Sequence, residues 1–205
     1  PRFCGLSYGF RPERSQHMAL DALHEGICRR KINWIVDCDI KAFFDSIDHD
    51  LLMGMVEKRV GDKRLLRLLR KWLRLGWEED GVRTPRTVGT AQGSVISPLL
   101  ANIMLNEVMD QWFIQWRKES KGDCIMVRYA DDAVMGFQFE WEARAFLEAL
   151  AKQLKTHKLT LHPEKTRLIE FGRYAASNRK QRGEKKPETF NFLGFTHCCG
   201  KTRAG

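Results

Sequence analysis

The chain has no Cys-x-x-Cys pair, no secretory signal pattern and no internal repeat. It also has no apolar run near the ~20 residues that a membrane-spanning helix needs. The first absence argues against a zinc knuckle or a thiol redox motif. The six cysteines, Cys4, Cys28, Cys38, Cys124, Cys198 and Cys199, are irregularly spaced and read as reduced thiols of a cytosolic protein. His197 stands beside Cys198, but no second ligand pair at zinc spacing accompanies it. Acidic residues are the minority, 26 against 35 Lys and Arg.

What remains is a globular composition. The 205 residues are 43% hydrophobic and 30% charged, enough for one good core or two small subdomains. The net charge of +9, with a pI near 9.4, favours a polyanionic partner. Nucleic acid fits that surplus better than an anionic membrane does, and no membrane association is expected.

Residues 7–15, Ser-Tyr-Gly-Phe-Arg-Pro-Glu-Arg-Ser, read as a loop whose last residue, Ser15, caps a helix carrying Leu20, Leu23 and Ile27. Residues 32–40 then alternate with period two. Ile32, Trp34, Val36, Cys38 and Ile40 are assigned to one strand face, Asp37 and Asp39 to the other. A helix is expected from about Asp48, with Leu51, Leu52, Met55 and Val56 inward. Another is expected from Asp62 to Leu75, with Gly76 as its stop. That helix would turn Leu65, Leu66, Leu68, Leu69, Trp72 and Leu73 inward. Lys63, Arg64, Arg67, Arg70, Lys71 and Arg74 would form a cationic face, either solvated or laid on a phosphate backbone.

Residues 78–90 read as a loop or short hairpin. Ser97 and Pro98 suggest N-cap and first position of a helix that continues through Leu99, Leu100, Ile103, Val108 and Trp112. Residues 125–137 read as strand, tight turn, strand, with Asp131 and Asp132 at the turn. An amphipathic helix spans 142–157. Residues 159–171 suggest a strand pair broken at His162 and Pro163, 173–188 a basic mobile loop, and 190–196 a last strand or hairpin. The alternation implies an α+β fold with an antiparallel sheet.

Asp39 closes an otherwise apolar strand, and Asp131 and Asp132 sit at a hairpin tip with apolar flanks. Clusters of carboxylates at strand ends are what a two-magnesium site requires. Mg2+ takes oxygen ligands, usually one or two carboxylates completed by substrate phosphates. Two such ions activate an attacking hydroxyl and steady a leaving group. Taken singly, an Asp pair in a turn is ordinary turn chemistry, and Asp39 alone could cap a helix or hold an ion pair.

The order of several motifs is more specific. Tyr-Ala-Asp-Asp at 129–132 resembles the hallmark of reverse transcriptases. Asp-Ile-Lys-Ala-Phe-Phe-Asp at 39–45, followed by Ser-Ile-Asp-His, resembles their first catalytic motif in its group II intron form. Residues 90–102, Thr-Ala-Gln-Gly-Ser-Val-Ile-Ser-Pro-Leu-Leu-Ala-Asn, resemble the motif that contacts template and incoming nucleotide. Residues 159–166 and 190–195 resemble the last two palm motifs, and 7–15 a segment that precedes the first catalytic Asp in group II intron and related bacterial enzymes.

This resemblance implies a right-hand polymerase palm with helices flanking an antiparallel sheet, and a partial fingers region. The expected division is partial fingers over 1–31, the first palm motif over 32–60, a connecting helix and loop over 61–90, and palm over 91–205. It implies catalytic Asp39, Asp131 and Asp132, and two Mg2+ ions (with Mn2+ as substitute) held by those residues and the Ile40 carbonyl. Phe44 is implied as the ring that excludes a 2′-hydroxyl, with Phe43 in the core. Gln92 and Gly93 would lie beside the nucleotide and Lys165 near its triphosphate. Phe192, Leu193 and Gly194 would hold the primer end, and Arg11 and Arg14 would touch template or phosphate. Asp45 reads as structural and Asp37 as either tuning the site or facing solvent. The implied partners are an RNA template, a DNA or RNA primer, deoxynucleotides and intron RNA, in a bacterial cytoplasm.

The family carries longer fingers before the 7–15 segment, and a helical thumb and maturase region after the last palm motif. The chain is therefore expected to be a piece of a longer protein with the thumb absent. Two other readings stay open. One is a retron-, diversity-generating or CRISPR-associated enzyme of the same fold. The other is an RNA-binding splicing cofactor or remnant without polymerase activity, for which the basic segments would suffice. A non-templated nucleotidyltransferase has no specific support.

Overall fold

A computed structural model describes residues 3–200, apart from 76, 80–81, 85–86 and 91–94. Gly76, Gln92 and Gly93 thus lie outside the described residues.

Helix α1 (Gln16–Arg29) begins where expected, because the Ser15 hydroxyl accepts the Met18 N–H at 3.2 Å. Strand β1 (Trp34–Cys38) follows, then a single helical turn, α2 (Phe43–Ser46), and α3 (His49–Glu57). Helix α4 (Lys63–Arg74) is next. Asp48 and Asp62 cap α3 and α4 through their carboxylates, which accept the N–H groups of Asp50 and Leu51 and of Arg64 and Leu65. A short hairpin, β2 (Trp77–Glu79) and β3 (Val82–Thr84), precedes α5 (Ser97–Leu105). The chain then passes through a π-helical turn, Asn106–Asp110, into α6 (Gln111–Glu119). Strands β4 (Cys124–Tyr129) and β5 (Asp132–Phe137), helix α7 (Glu140–Thr156), strand β6 (Arg167–Glu170), helix α8 (Ala175–Gln181) and strands β7 (Phe190–Phe192) and β8 (Phe195–His197) complete it.

Four strands form the main sheet in the order β4-β5-β1-β6, antiparallel throughout. Residues 6–8 add to the outer edge of β4 in parallel. There Tyr8 N–H donates to the Arg128 carbonyl at 2.8 Å, and Arg128 N–H to the Leu6 carbonyl at 2.9 Å.

Both faces of this sheet are covered. On one, Val36, Cys38, Met126, Met135 and Phe137 pack with Phe146, Leu150 and Leu154 of α7 and with α3, α5 and the π turn. On the other, Ile35, Ile125, Val127, Val134 and Ile169 pack with Ala19 and Leu23 of α1 and with Phe190 and Phe192 of β7. Each large aliphatic side chain so buried contributes roughly 1.5–3 kcal/mol.

Several expectations need correction. The face shared by Asp37 and Asp39 is apolar further along, since Ile35 on it is fully buried, and Ile32 belongs to that cluster as well. A strand covered on both sides loses clean alternation. On α4 only Leu66, Leu69 and Leu73 are buried, whereas Leu65, Leu68 and Trp72 are about 40% exposed. Ser97 is the first residue of α5, with Ile96 at the cap and Pro98 second, a shift of one that leaves Pro in the turn where a missing N–H is harmless. Residues 159–171 hold one strand, not two. Leu161 makes only a bridge to Ile40, and β6 pairs with β1. The supposed mobile loop contains α8. It carries a single buried apolar residue, Ala175, so no period announced it. Arg182 beyond its end pairs with Glu170, a nearly buried carboxylate closing β6, and with Glu184.

Candidate active site

The register of the sheet assembles the acidic residues. Cys38 lies opposite Ala133, and Tyr129 opposite Asp132. One step further along β1 therefore brings Asp39 level with Asp132. By strand parity Tyr129, Asp132 and Asp39 form a row on one face, the face that carries Val127, Val134 and Ile35 lower down. Asp131 sits beside this row in the two-residue turn between β4 and β5. Thus the carboxylates predicted to act together do share one sheet end.

Backbone contacts fix the neighbouring chain. The Asp39 carbonyl accepts the His162 N–H at 2.8 Å, and the Lys41 N–H donates to the Thr160 carbonyl at 2.9 Å. Bonds on either side of Ile40 are the mark of a non-bonded antiparallel pair. The Ile40 N–H and carbonyl consequently point away from Leu161, toward the side where β5 and the Asp131 turn lie. The Ile40 side chain is buried.

The electrostatics are those of crowded anions. Burial, with the charges of Asp37, Asp131 and Asp39, pushes the Asp132 carboxyl up to about 6, although the Leu193 N–H bonded to it pulls the other way. Burial also raises Asp37, against the opposing pull of Arg167, whose guanidinium lies 2.8 Å from it. Lys165 Nζ stands 3.2 Å from Asp39 Oδ2, with side chains 67% and 37% exposed. A cation is already drawn to Asp39, in the solvent-facing position where exchange for another is easy. Among the described residues no three His, Cys, Asp or Glu side chains converge on one point. The pattern suits an ion that takes one or two carboxylates and fills its other positions with phosphate and water, better than it suits a closed all-protein cage.

The remaining candidates divide. Phe43 is buried and Phe44 half-buried, edge to face with centroids 5.4 Å apart. Gly89 (φ +82°) packs its backbone on α2. A Cβ there would lie 2.9 Å from the Phe44 carbonyl and the Asp45 backbone, so only glycine permits this approach. Thr90 N–H donates to the Phe44 carbonyl at 2.8 Å. The entry to the Gln92 segment is thereby tied to the aromatic pair.

Phe192 is fully buried, and the surface part of its segment is the Leu193–Gly194 turn, where both residues have positive φ (+54° and +81°) as a tight two-residue hairpin demands. That turn reaches Asp132 through the Leu193 N–H, and Gln16 Nε2 donates to the Leu193 carbonyl at 2.6 Å. Arg11 is engaged by the backbone of its own segment. Its guanidinium donates to the carbonyls of Cys4 at 2.5 Å and Ser7 at 2.6 Å, so its role is to fold the 3–7 segment. Arg14 lies over the Tyr8 ring at 5.1 Å.

Sequence reasoning missed Arg128 and Asp110. Both are fully buried, and they pair in a forked arrangement. The available signal was a charged residue at an inward position of each apolar segment, Val127-Arg128-Tyr129 and Met109-Asp110.

The antiparallel sheet flanked by helices is a palm of the polymerase type. Residues 1–197 match the family of the reverse transcriptase (RNA-dependent DNA polymerase), and the chain belongs to that family. Its relatives include the group II intron-encoded protein LtrA of Lactococcus lactis subsp. cremoris, 30% identical over 187 residues. That match covers 85% of this chain and 31% of LtrA. Protein YkfC of Escherichia coli is 31% identical over 200 residues, covering 81% of this chain and 52% of YkfC. The chain thus spans about a third of the length of LtrA and about half that of YkfC. The solved structure of apo telomerase from Candida tropicalis superposes with a TM-score of 0.67 over 95% of this chain and 39% of that one, at 14% identity. At that identity the likeness establishes a shared fold. Among the described residues no helix is long and apolar enough to cross a membrane.

Proposed function

We propose that this chain is the catalytic core of an RNA-directed DNA polymerase of the group II intron type, serving intron mobility by copying RNA into DNA. The observation that carries the reading is the register that sets Asp39 level with Asp132, with Asp131 in the adjoining turn. Asp39, Asp131, Asp132 and the Ile40 carbonyl would hold two Mg2+ ions, for which Mn2+ can substitute. When bound, these ions supply charge neutralisation for an attacking 3′-hydroxyl and a departing pyrophosphate.

The protein's own groups do the rest. A cation between the crowded carboxylates would relieve their mutual repulsion. Lys165, now paired with Asp39, would meet the triphosphate. The Phe44 ring, braced by Phe43 and the Gly89 backbone, would lie under the sugar and leave no room for a 2′-hydroxyl. The Leu193–Gly194 turn, bonded to Asp132, would seat the primer end next to the reacting atoms. The cationic stripe of α4 suits an RNA backbone, in keeping with intron RNA as a partner in the cytoplasm.

The test is extension of oligo(dT) on poly(rA) with dTTP and Mg2+, using the complete translated protein. Incorporation that vanishes in Asp131→Ala/Asp132→Ala supports the reading. RNA binding without any incorporation in the intact protein would instead favour a splicing cofactor. In the same assay Phe44→Val is expected to raise the relative use of UTP over dTTP by roughly 10²-fold, the scale of discrimination one bulky group in a fitted pocket supplies.

A further inference from the structure

Arg128 carries a full charge into the core. Its residue is 0% exposed, on the sheet face opposite the catalytic row, and its guanidinium makes four hydrogen bonds within the protein. Nε and Nη2 donate to the two carboxylate oxygens of Asp110 at 2.7 and 2.6 Å. Nη1 donates to Asn102 Oδ1 at 3.0 Å and to the carbonyl of Ala130 at 2.5 Å. The last bond is the informative one, because Ala130 is the residue immediately before Asp131.

Ala130 is left-handed, with φ +57°. For a residue with a Cβ that conformation costs roughly 1–2 kcal/mol. Such strain persists when surrounding contacts over-determine it. Here the contacts come from both sides. Arg128 holds the carbonyl, and Gly9 is pressed against the turn so closely that a Cβ on it would lie 2.5 Å from the Ala130 nitrogen. Asn102, the same residue that accepts from Arg128, donates to the Gly9 carbonyl at 2.8 Å. The π turn supplies Asp110, and Asn106 in it accepts the Cys4 N–H at 3.3 Å. One guanidinium therefore ties together α5, the π turn, the 6–9 segment and the turn bearing Asp131.

Stability alone is a poor reason for this arrangement. A buried ion pair is commonly no better than an apolar pair of the same volume, because two charges must be desolvated. An apolar pair, however, could not hold the Ala130 carbonyl.

We propose that Arg128 is a positioning residue for catalysis. Through the Ala130 carbonyl it sets the strained turn that aims the Asp131 carboxylate toward Asp39, with Asp110 and Asn102 fixing the guanidinium itself. The proposal rests on the reading of Asp39 and Asp131 as metal-binding residues. Phe10 is drawn into the same unit. It also has a positive φ (+52°), is 59% exposed, and lies 6.3 Å from the Tyr129 ring. The 6–10 segment is thus packed directly against the turn that bears Asp131.

The experiment compares wild type, Arg128→Lys and Asp131→Ala in the complete translated protein. It measures thermal unfolding, primer–template affinity, kcat and KM for dTTP, and the Mg2+ concentration giving half-maximal rate. Lysine keeps the charge but cannot fork to Asp110 and reach Ala130 together. Arg128→Lys should fold and bind primer–template as wild type does, with kcat down about 10²-fold and KM for dTTP unchanged within about threefold. Its Mg2+ half-saturation should rise several-fold. A loss of rate that matches the unfolded fraction, with an unchanged Mg2+ curve, would make Arg128 a packing residue and overturn the proposal. So would full activity in Arg128→Lys. If Arg128→Lys does not fold, Gly9→Ala decides, since it pushes on Ala130 from the other side and leaves the ion pair intact. It should show the same raised Mg2+ requirement, and a wild-type requirement there overturns the proposal. Activity retained by Asp131→Ala would remove the metal-site reading itself, and a normal Asp131→Ala result with an unaffected Arg128→Lys would remove only the present one.

Discussion

Two acidic regions lie on opposite faces of one sheet, and the chain treats them differently. Asp110 is fully buried and completely answered by Arg128. Asp39, Asp131 and Asp132 share a sheet end, and the cation at Asp39 comes from Lys165, mostly exposed. Burial explains why the first pair must be closed, since an unpaired charge inside costs several kcal/mol. At the second site burial and the neighbouring carboxylates push the Asp132 carboxyl up to about 6, so its charge costs more there than in water. One region is closed within the protein, and on the proposed reading the other is completed by a metal ion.

The contrast can be broken at three points. The largest effect is expected from Asp39→Asn, which keeps the shape and removes the charge. Primer extension should fall about 10³-fold or more, the scale on which one preorganised electrostatic group is felt. Folding should be unharmed or slightly improved, because one member of a repelling cluster is gone. Parallel steady-state kinetics and thermal melts check both halves.

At the closed region the sign reverses. Arg128→Met should cost about 3–5 kcal/mol of stability by leaving Asp110 buried and unpaired. Adding Asp110→Leu should recover most of that stability, and the pair should remain slow in primer extension because the Ala130 carbonyl is still unheld. Denaturant melts of the two single variants and the double variant read the coupling directly.

The smallest effect is the proton linkage of Asp132. Its folded pKa of about 6 lies above the ordinary 3.8, so the folded state holds a proton that the unfolded chain has lost. The metal-free fold should therefore lose stability as pH rises from about 4 to about 6. With saturating Mg2+ the same rise in pH should add stability, because the ion binds the deprotonated site. Melting temperatures across that window, with and without Mg2+, would show the two slopes if the assignment is right and one common slope if it is wrong.

Much of this was legible in the chain. Ser15, Asp48 and Asp62 mark three helix starts because capping is a local transaction between a side chain and the next turn. Asp39, Asp131 and Asp132 stood out as acids in apolar strands. Other features were not local. Helix α8 has no apolar period and is held by the reach of Arg182 to Glu170 in another element. The exposed Leu65, Leu68 and Trp72 were indistinguishable from core residues, because amphipathic spacing does not say how wide a stripe the neighbours cover.

The sequence by itself determined most of the elements, the family and the presence of Asp39, Asp131 and Asp132 in apolar surroundings, since these depend on residue chemistry and short-range spacing. Only the tertiary structure decided that Asp39 stands level with Asp132, that Arg11 binds the Cys4 and Ser7 carbonyls, and that Arg128 reaches the Ala130 carbonyl before Asp131. Each of those follows from strand register or from contacts formed on folding, and a one-residue slip in register would have placed the same residues on the opposite face.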